Sequence, residues 1–153
     1  MSAKGLGGGS ILHGGLVALR LGGRWRGALI LGPSGAGKSD LALRALDAGF
    51  RLVADDRVRV WISGGALYGR SPDPLRGLIE ARGTGVVAAP SVALAEIVLA
   101  VRCAQAGEAI ERIPEPEGET IAGTAVPLMR IDAREASAPA KLRRALLHLG
   151  HGL

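Results

Sequence analysis

Ala28-Leu29-Ile30-Leu31 runs straight into Gly32-Pro33-Ser34-Gly35-Ala36-Gly37-Lys38-Ser39, and the helix-forming stretch SDLALRALDA follows as far as Gly49. An apolar strand, a glycine-rich turn and a helix in direct succession leave few folds open to the rest of the chain. The spacing is that of the G-x-x-x-x-G-K-[ST] phosphate loop. Its glycines let the backbone wrap so that successive N–H groups turn inward on phosphate oxygens, and the helix that starts next adds its positive end. Lys38 then reaches the β- and γ-phosphates, and the Ser39 hydroxyl is placed to ligate Mg²⁺. Gly32, Pro33, Ser34, Gly35, Ala36, Gly37, Lys38, Ser39 and Asp40 form the predicted nucleotide-binding set. The pattern predicts an α/β P-loop nucleotide-binding fold.

A ten-residue helix over 39–48 travels about 15 Å at 1.5 Å per residue. A strand over 51–55 returns about 16 Å at some 3.3 Å per residue. Asp55 and Asp56, after Leu52-Val53-Ala54, therefore come back to the sheet edge that carries the phosphate loop, where α/β folds bind ligands. Consecutive strand side chains face opposite ways, so the two carboxylates do not share one role. One meets Mg²⁺ or a substrate hydroxyl, while the other holds backbone or an arginine.

At 153 residues, 48% apolar and 22% charged, the chain suits one compact domain and is not disordered overall. A single cysteine, Cys103, excludes a disulfide framework and reads as a small buried hydrophobe in a reducing compartment. The formal charge of +5 comes almost entirely from arginine, since only Lys4, Lys38 and Lys141 are lysines. No basic run exceeds Arg143-Arg144 and aromatic residues make up 3%, which argues against a nucleic-acid surface. Neither a secretory signal nor a span of about 20 apolar residues is present, so a cytoplasmic protein without membrane contact is expected.

Residues 1–10 are glycine-rich and read as a flexible leader before a single domain over 11–153. Short apolar runs separated by Gly, Pro and Asp predict strands at 11–20, 27–31, 51–55, 57–62, 66–69, 76–80 and 96–102. A second helix is expected over Ser137–Leu149, with Ser137 as N-cap, Pro139 in the first turn and Leu142, Leu146 and Leu149 on one face. IPEPEGE (113–119) reads as an acidic loop. The expected architecture is a strand-rich mixed sheet with few helices. Trp25 and Trp61 read as edge or core packing.

Four segments in order resemble the catalytic domain of HPr kinase/phosphorylase, a bacterial protein-serine kinase family of sugar-transport regulation. They are Leu12-His13-Gly14, GPSGAGKSD (32–40), RLVADDRV (51–58) and LIEARGTGVV (78–87). The resemblance implies a fold like that of phosphoenolpyruvate carboxykinase, hexamers, and phosphate transfer from ATP to a serine of the carrier protein HPr. It implies that Lys38 and Ser39 bind phosphates and Mg²⁺, that Asp56 is the acid/base group, and that Glu80 is a second metal ligand. His13 matches a family active-site histidine; without the family it would read as an ordinary strand residue. Arg82, Gly83 and Gly85 fall in a stretch the family uses in catalysis, where Arg82 could balance transferred charge.

Longer members of the family carry a further N-terminal domain with no counterpart in these 153 residues, so the resemblance implies a short form. The loop tied to the reverse, phosphorylase reaction has no match: VPLMRIDARE (126–135) occupies that region without the pattern, and the family's later catalytic arginine has no assigned position. Kinase activity is thus better supported than phosphorylase activity. Two other classes remain open at this stage, a small-molecule P-loop kinase and a catalytically silent nucleotide-sensing module.

Overall fold

A computed structural model describes residues 9–72 and 76–149. In chain order they form β1 (Ser10–His13), β2 (Gly15–Leu21), β3 (Arg24–Leu31), α1 (Lys38–Asp47), β4 (Arg51–Ala54), β5 (Arg57–Ser63) and β6 (Ala66–Arg70). There follow β7 (Leu78–Ala81), β8 (Gly85–Ala88), β9 (Leu94–Cys103), β10 (Glu117–Ile121), β11 (Thr124–Ile131) and α2 (Ala138–Leu149). The expected leader lies outside the described residues up to residue 8, and Ser10 already belongs to β1.

β1-β5-β6-β9-β3-β2-β4 run side by side in one mixed sheet, which β10 and β11 extend, while β7 and β8 form a separate hairpin. β9 is the hub. It runs antiparallel to β6 at its start, parallel to β3 along its length, and parallel to β11 from Ala100 to Cys103. The ends of β3, β9 and β11 therefore open on one edge, and the phosphate loop leaves from there.

Alternation along the strands sends side chains to two cores. Val17, Ile30, Leu52, Leu99 and Val101 face α1 and α2 and pack with Leu41, Phe50, Leu142 and Leu146. Leu16, Leu29, Val53, Val58, Val60, Leu67 and Ile97 fill the opposite side. There the sheet curls until β6 crosses β2: a Cβ on Gly69 would stand 2.7 Å from Leu16 Cδ2 and 3.1 Å from Val58 Cγ1. Only a residue without a side chain permits that approach.

Helix α1 follows from its sequence. Leu41, Ala42 and Ala45 are buried on one face, while Asp40 and Arg44 pair one turn apart on the other. It stops where Phe50 N–H donates to Ala45 O at 3.1 Å and Gly49 N–H to Leu46 O at 3.3 Å, a closure that needs the positive φ of Gly49. β4 begins at once and carries the chain back towards the loop.

Several expected elements are corrected. The strand expected over 11–20 is two strands, because Gly14 breaks it and its N–H leaves the ladder to donate to Asp56 O at 2.9 Å. The strand expected at 76–80 is Leu78–Ala81, paired with β8 across the turn Arg82–Thr84, and β8 was not expected. The acidic loop at 113–119 ends early, since Glu117 opens β10, and VPLMRI within 126–135 is strand β11. Two things hid this hairpin. Its turn, Ala122-Gly123, has positive φ at both positions although alanine rarely accepts that conformation. Its strands are also fixed by ion pairs, with Arg102 bound to Glu119 and Arg130 to Glu117 through two hydrogen bonds each, where an apolar alternation would have been legible.

Candidate active site

The loop between β3 and α1 starts pressed onto the end of β9: a Cβ on Gly32 would lie 3.0 Å from Cys103 O. Ala36 N–H turns back to Pro33 O at 3.1 Å, and Gly37 at φ 93° begins the helix by accepting from Leu41 N–H at 2.9 Å. No side chain caps this end, so the first N–H groups of α1 stay directed at the hollow of the loop. Lys38 Nζ bends over the loop and donates to Gly32 O at 2.8 Å and Pro33 O at 3.0 Å. Ser34 and Gly35 are exposed at the tip, and Ala36 is buried beneath it. Asp40 turns outward to Arg44 Nε at 2.9 Å.

Asp55 arrives at the end of β4 as its strand length requires. Its Oδ1 accepts from Ser39 Oγ at 2.8 Å, and its Oδ2 accepts from Glu80 N–H at 3.0 Å. A carboxylate oxygen and a hydroxyl this close at the mouth of a phosphate loop are two hard oxygen donors of the kind Mg²⁺ takes. They fit a nucleotide-bound Mg²⁺, which keeps several waters and phosphate oxygens as its other ligands. Among the described residues, no group of three or more His, Cys, Asp or Glu side chains could hold a metal alone.

Asp56 leaves the strand in the left-handed region at φ 70°, a conformation uncommon outside glycine. Gly14 N–H holds its carbonyl, and that fixes the carboxylate beside His13, with Nδ1 3.7 Å from Oδ1. Both side chains are open to solvent, at 81% and 63% exposure. Two neighbouring aspartates thus meet separate partners. Asp55 faces Ser39, and Asp56 faces His13.

Glu80 is brought to this edge through its backbone bond to Asp55, with its carboxylate exposed on β7. Arg82 stands exposed in the turn between β7 and β8, where Thr84 N–H donates to Ala81 O at 2.8 Å. Ile79, the neighbour of Glu80 on the opposite face of β7, is buried in the core shared with α1 and anchors the hairpin there. From the sequence Asp55 shared an undecided pair of roles with Asp56 and was not itself assigned to the metal. The signal was present, since it is the first residue past a buried strand of the right length.

Beneath the loop the structure is closed to solvent at Cys103 and Ala133. Cys103 is 3% exposed, and burial pushes its thiol up to about 11 despite the opposing pull of Lys38 and Arg44. Beside the loop a pocket of about 180 Å³ opens, with Gly32 and Pro33 on one wall and Arg102 and Arg130 on the other.

A family model described as HPr Serine kinase C-terminal domain matches residues 6–145. The chain belongs to this family. Among curated members, HPr kinase/phosphorylase of Clostridium tetani is 47% identical over 66 residues, which are 43% of this chain and 22% of that protein. The enzyme of the same name from Clostridium kluyveri is 51% identical over 61 residues, 40% of this chain and 20% of the relative. The matched part of the chain therefore spans about a fifth of the length of these relatives. The solved structure of the Hpr(Ser) kinase/phosphatase from Coxiella burnetii superposes with a TM-score of 0.76 over 92% of each chain at 22% identity. The strand-rich α/β sheet, with two helices among the described residues, thus shares the fold of that protein. In this member of the family, no helix among the described residues is long and apolar enough to cross a membrane.

Proposed function

We propose that this chain is an ATP- and Mg²⁺-dependent protein-serine kinase whose substrate is the carrier protein HPr, acting in the cytoplasm as a homo-oligomer, a hexamer by resemblance to its family. The observation that carries the reading is the adjacency of two unlike pairs at one sheet edge. Ser39–Asp55 lies at the mouth of the phosphate loop, and His13–Asp56 stands beside it in the open. The first suits a metal-bound nucleotide, and the second suits a hydroxyl that must lose its proton.

The loop amides and the N-terminus of α1 bind the phosphates, and Lys38 exchanges its two carbonyl partners for phosphate oxygens. Bound Mg²⁺ would neutralise charge on the transferring phosphoryl group, with Ser39 and Asp55 as its protein-side oxygens and Glu80 as a further ligand. Asp56 accepts the proton of the attacking serine hydroxyl, with the His13 imidazole beside its carboxylate. Arg82, at the tip of the β7–β8 hairpin, balances charge on the phosphoryl oxygens. The exposure of the Asp56 side suits a macromolecular substrate, whose own surface excludes water on docking.

The test is to mix the protein with γ-labelled ATP, Mg²⁺ and purified HPr. Label on a serine of HPr is expected. ATP binding without label on HPr would remove the substrate assignment, and ADP release with a small metabolite instead would install a metabolite kinase in its place.

A further inference from the structure

Two arginines lace α1 to the segment that follows β11, and they differ in where they act. At the end of α1 far from the phosphate loop, Arg143 of α2 donates to Ala48 O at 3.0 Å. Arg44, in the last turn of α1, reaches back towards the loop and uses its whole guanidinium. Nε donates to Asp40 Oδ2 at 2.9 Å, Nη1 to Glu135 O at 3.2 Å and Nη2 to Ala133 O. The segment it grips is a tight turn, with Glu135 N–H on Asp132 O at 3.1 Å and Arg134 N–H on Asp132 Oδ1 at 3.0 Å. Lys141 holds the same turn from α2 through Glu135 Oε1 at 2.8 Å. Ala133, fully buried at its centre, backs directly onto the phosphate loop: a Cβ on Gly37 would lie 3.4 Å from the Ala133 methyl.

We infer that Arg44 is a positioning residue for the phosphate cradle, which acts through Ala133 on Gly37 and through Asp40 on the first turn of α1. Gly37 sets the direction of the loop's last N–H groups, because it holds the left-handed conformation at which the loop becomes helix. Buried Ala133 supports that residue from behind, and Arg44 is the group that holds the Ala133 carbonyl. One planar cation meets two carbonyls and a carboxylate here, a geometry a lysine reproduces in part. Arg143 makes the same kind of side-chain-to-carbonyl bond from α2 to Ala48, past the other end of α1, without touching the loop, and so separates positioning from plain stabilisation. The inference rests on the nucleotide-binding reading above.

The experiment compares Arg44→Ala, Arg44→Lys and Arg143→Ala in the full chain by thermal midpoint, Mg·ATP affinity and amide hydrogen exchange. Both alanine variants are expected to lower the midpoint. Arg44→Ala alone weakens Mg·ATP binding, about tenfold or more, and speeds exchange of the 34–38 amides. Arg44→Lys recovers part of the affinity. Equal loss of affinity in Arg44→Ala and Arg143→Ala, or unchanged affinity in Arg44→Ala, overturns the inference. Should the unaltered protein bind no Mg·ATP, the nucleotide reading fails first, and exchange at 34–38 decides the strap by itself: faster in Arg44→Ala alone sustains it, unchanged refutes it.

Discussion

The phosphate cradle is gripped by side chains from three elements, whereas the His13–Asp56 pair a short way along the same edge owes its position to backbone alone. Ser39 meets Asp55, Lys38 meets Gly32 and Pro33, and Cys103 and Ala133 back the loop from below. Asp56 is set by its own left-handed backbone and one bond from Gly14, and its carboxylate stands 3.7 Å from an imidazole that is 81% exposed. A closely held half and an open half are what the proposed transfer from a small nucleotide to a large acceptor calls for. Nucleotide phosphates are the same in every encounter and gain from preorganised donors. Under the proposed function a protein acceptor would bring its own surface, and a proton-accepting carboxylate would have to stay reachable until it docks.

The largest expected effect separates the halves by chemistry. Asp56→Asn keeps the side chain's size and removes its basicity, so transfer to HPr falls by roughly 10²–10⁴-fold while Mg·ATP affinity stays within about twofold. Lys38→Ala strikes the other half and loses affinity and transfer together. Isothermal titration with Mg·ATP beside initial transfer rates checks both. If Asp56→Asn weakens nucleotide binding as much as Lys38→Ala does, the division between the halves is wrong.

A second, smaller contrast concerns access. Burial lifts the Cys103 thiol from its ordinary value near 9 to about 11, and the side chain lies beneath the cradle. It therefore reacts slowly with iodoacetamide at pH 8, and at full rate after unfolding. His13, exposed in the open half, is expected to react readily with diethylpyrocarbonate in the native protein. The sign of the linked pH effect is fixed as well. Because the folded state holds the thiol proton more tightly, the stability tied to it is complete below about pH 9 and is lost as pH rises through about 11. Rapid native alkylation of Cys103 would show that the cradle floor opens.

The same division governs how much of the molecule could be read from its sequence. The cradle is contiguous, and its strand, turn and helix are each dictated by local residue type, so Gly32 to Ser39 were legible at once. The return of Asp55 and Asp56 followed from lengths alone. What escaped depended on contacts distant in sequence. The break at Gly14 exists because its N–H serves Asp56, and a Cβ there would stand 2.6 Å from Ile30 O. Asp55 meets Ser39 and the backbone of Glu80, which no spacing rule connects. β10 and β11 were hidden because ion pairs take the place of apolar alternation on their outer face, and an alanine occupies a turn position that usually signals itself with Asn or Gly.

Those ion pairs supply the smallest effect, and they bear on how firmly the strand beside the cradle is held. Arg102, next to Cys103 at the end of β9, grips Glu119 of β10 through two hydrogen bonds of 3.0 and 2.9 Å. The guanidinium holds the Glu119 carboxyl below its ordinary value near 4.5. A carboxyl so lowered contributes stability that is fully present above about pH 4.5 and disappears as pH falls through its depressed pKa. With side-chain exposures of 41% and 22%, water screens the pair, and its worth is at most about 1 kcal/mol. Glu119→Gln should thus lower the urea midpoint slightly at pH 7 and by less at acid pH, as the native carboxyl takes up its own proton. An equal shift at both values would mean that Glu119 acts through packing, and that the strand flanking the cradle is fixed by shape where its charges suggest otherwise.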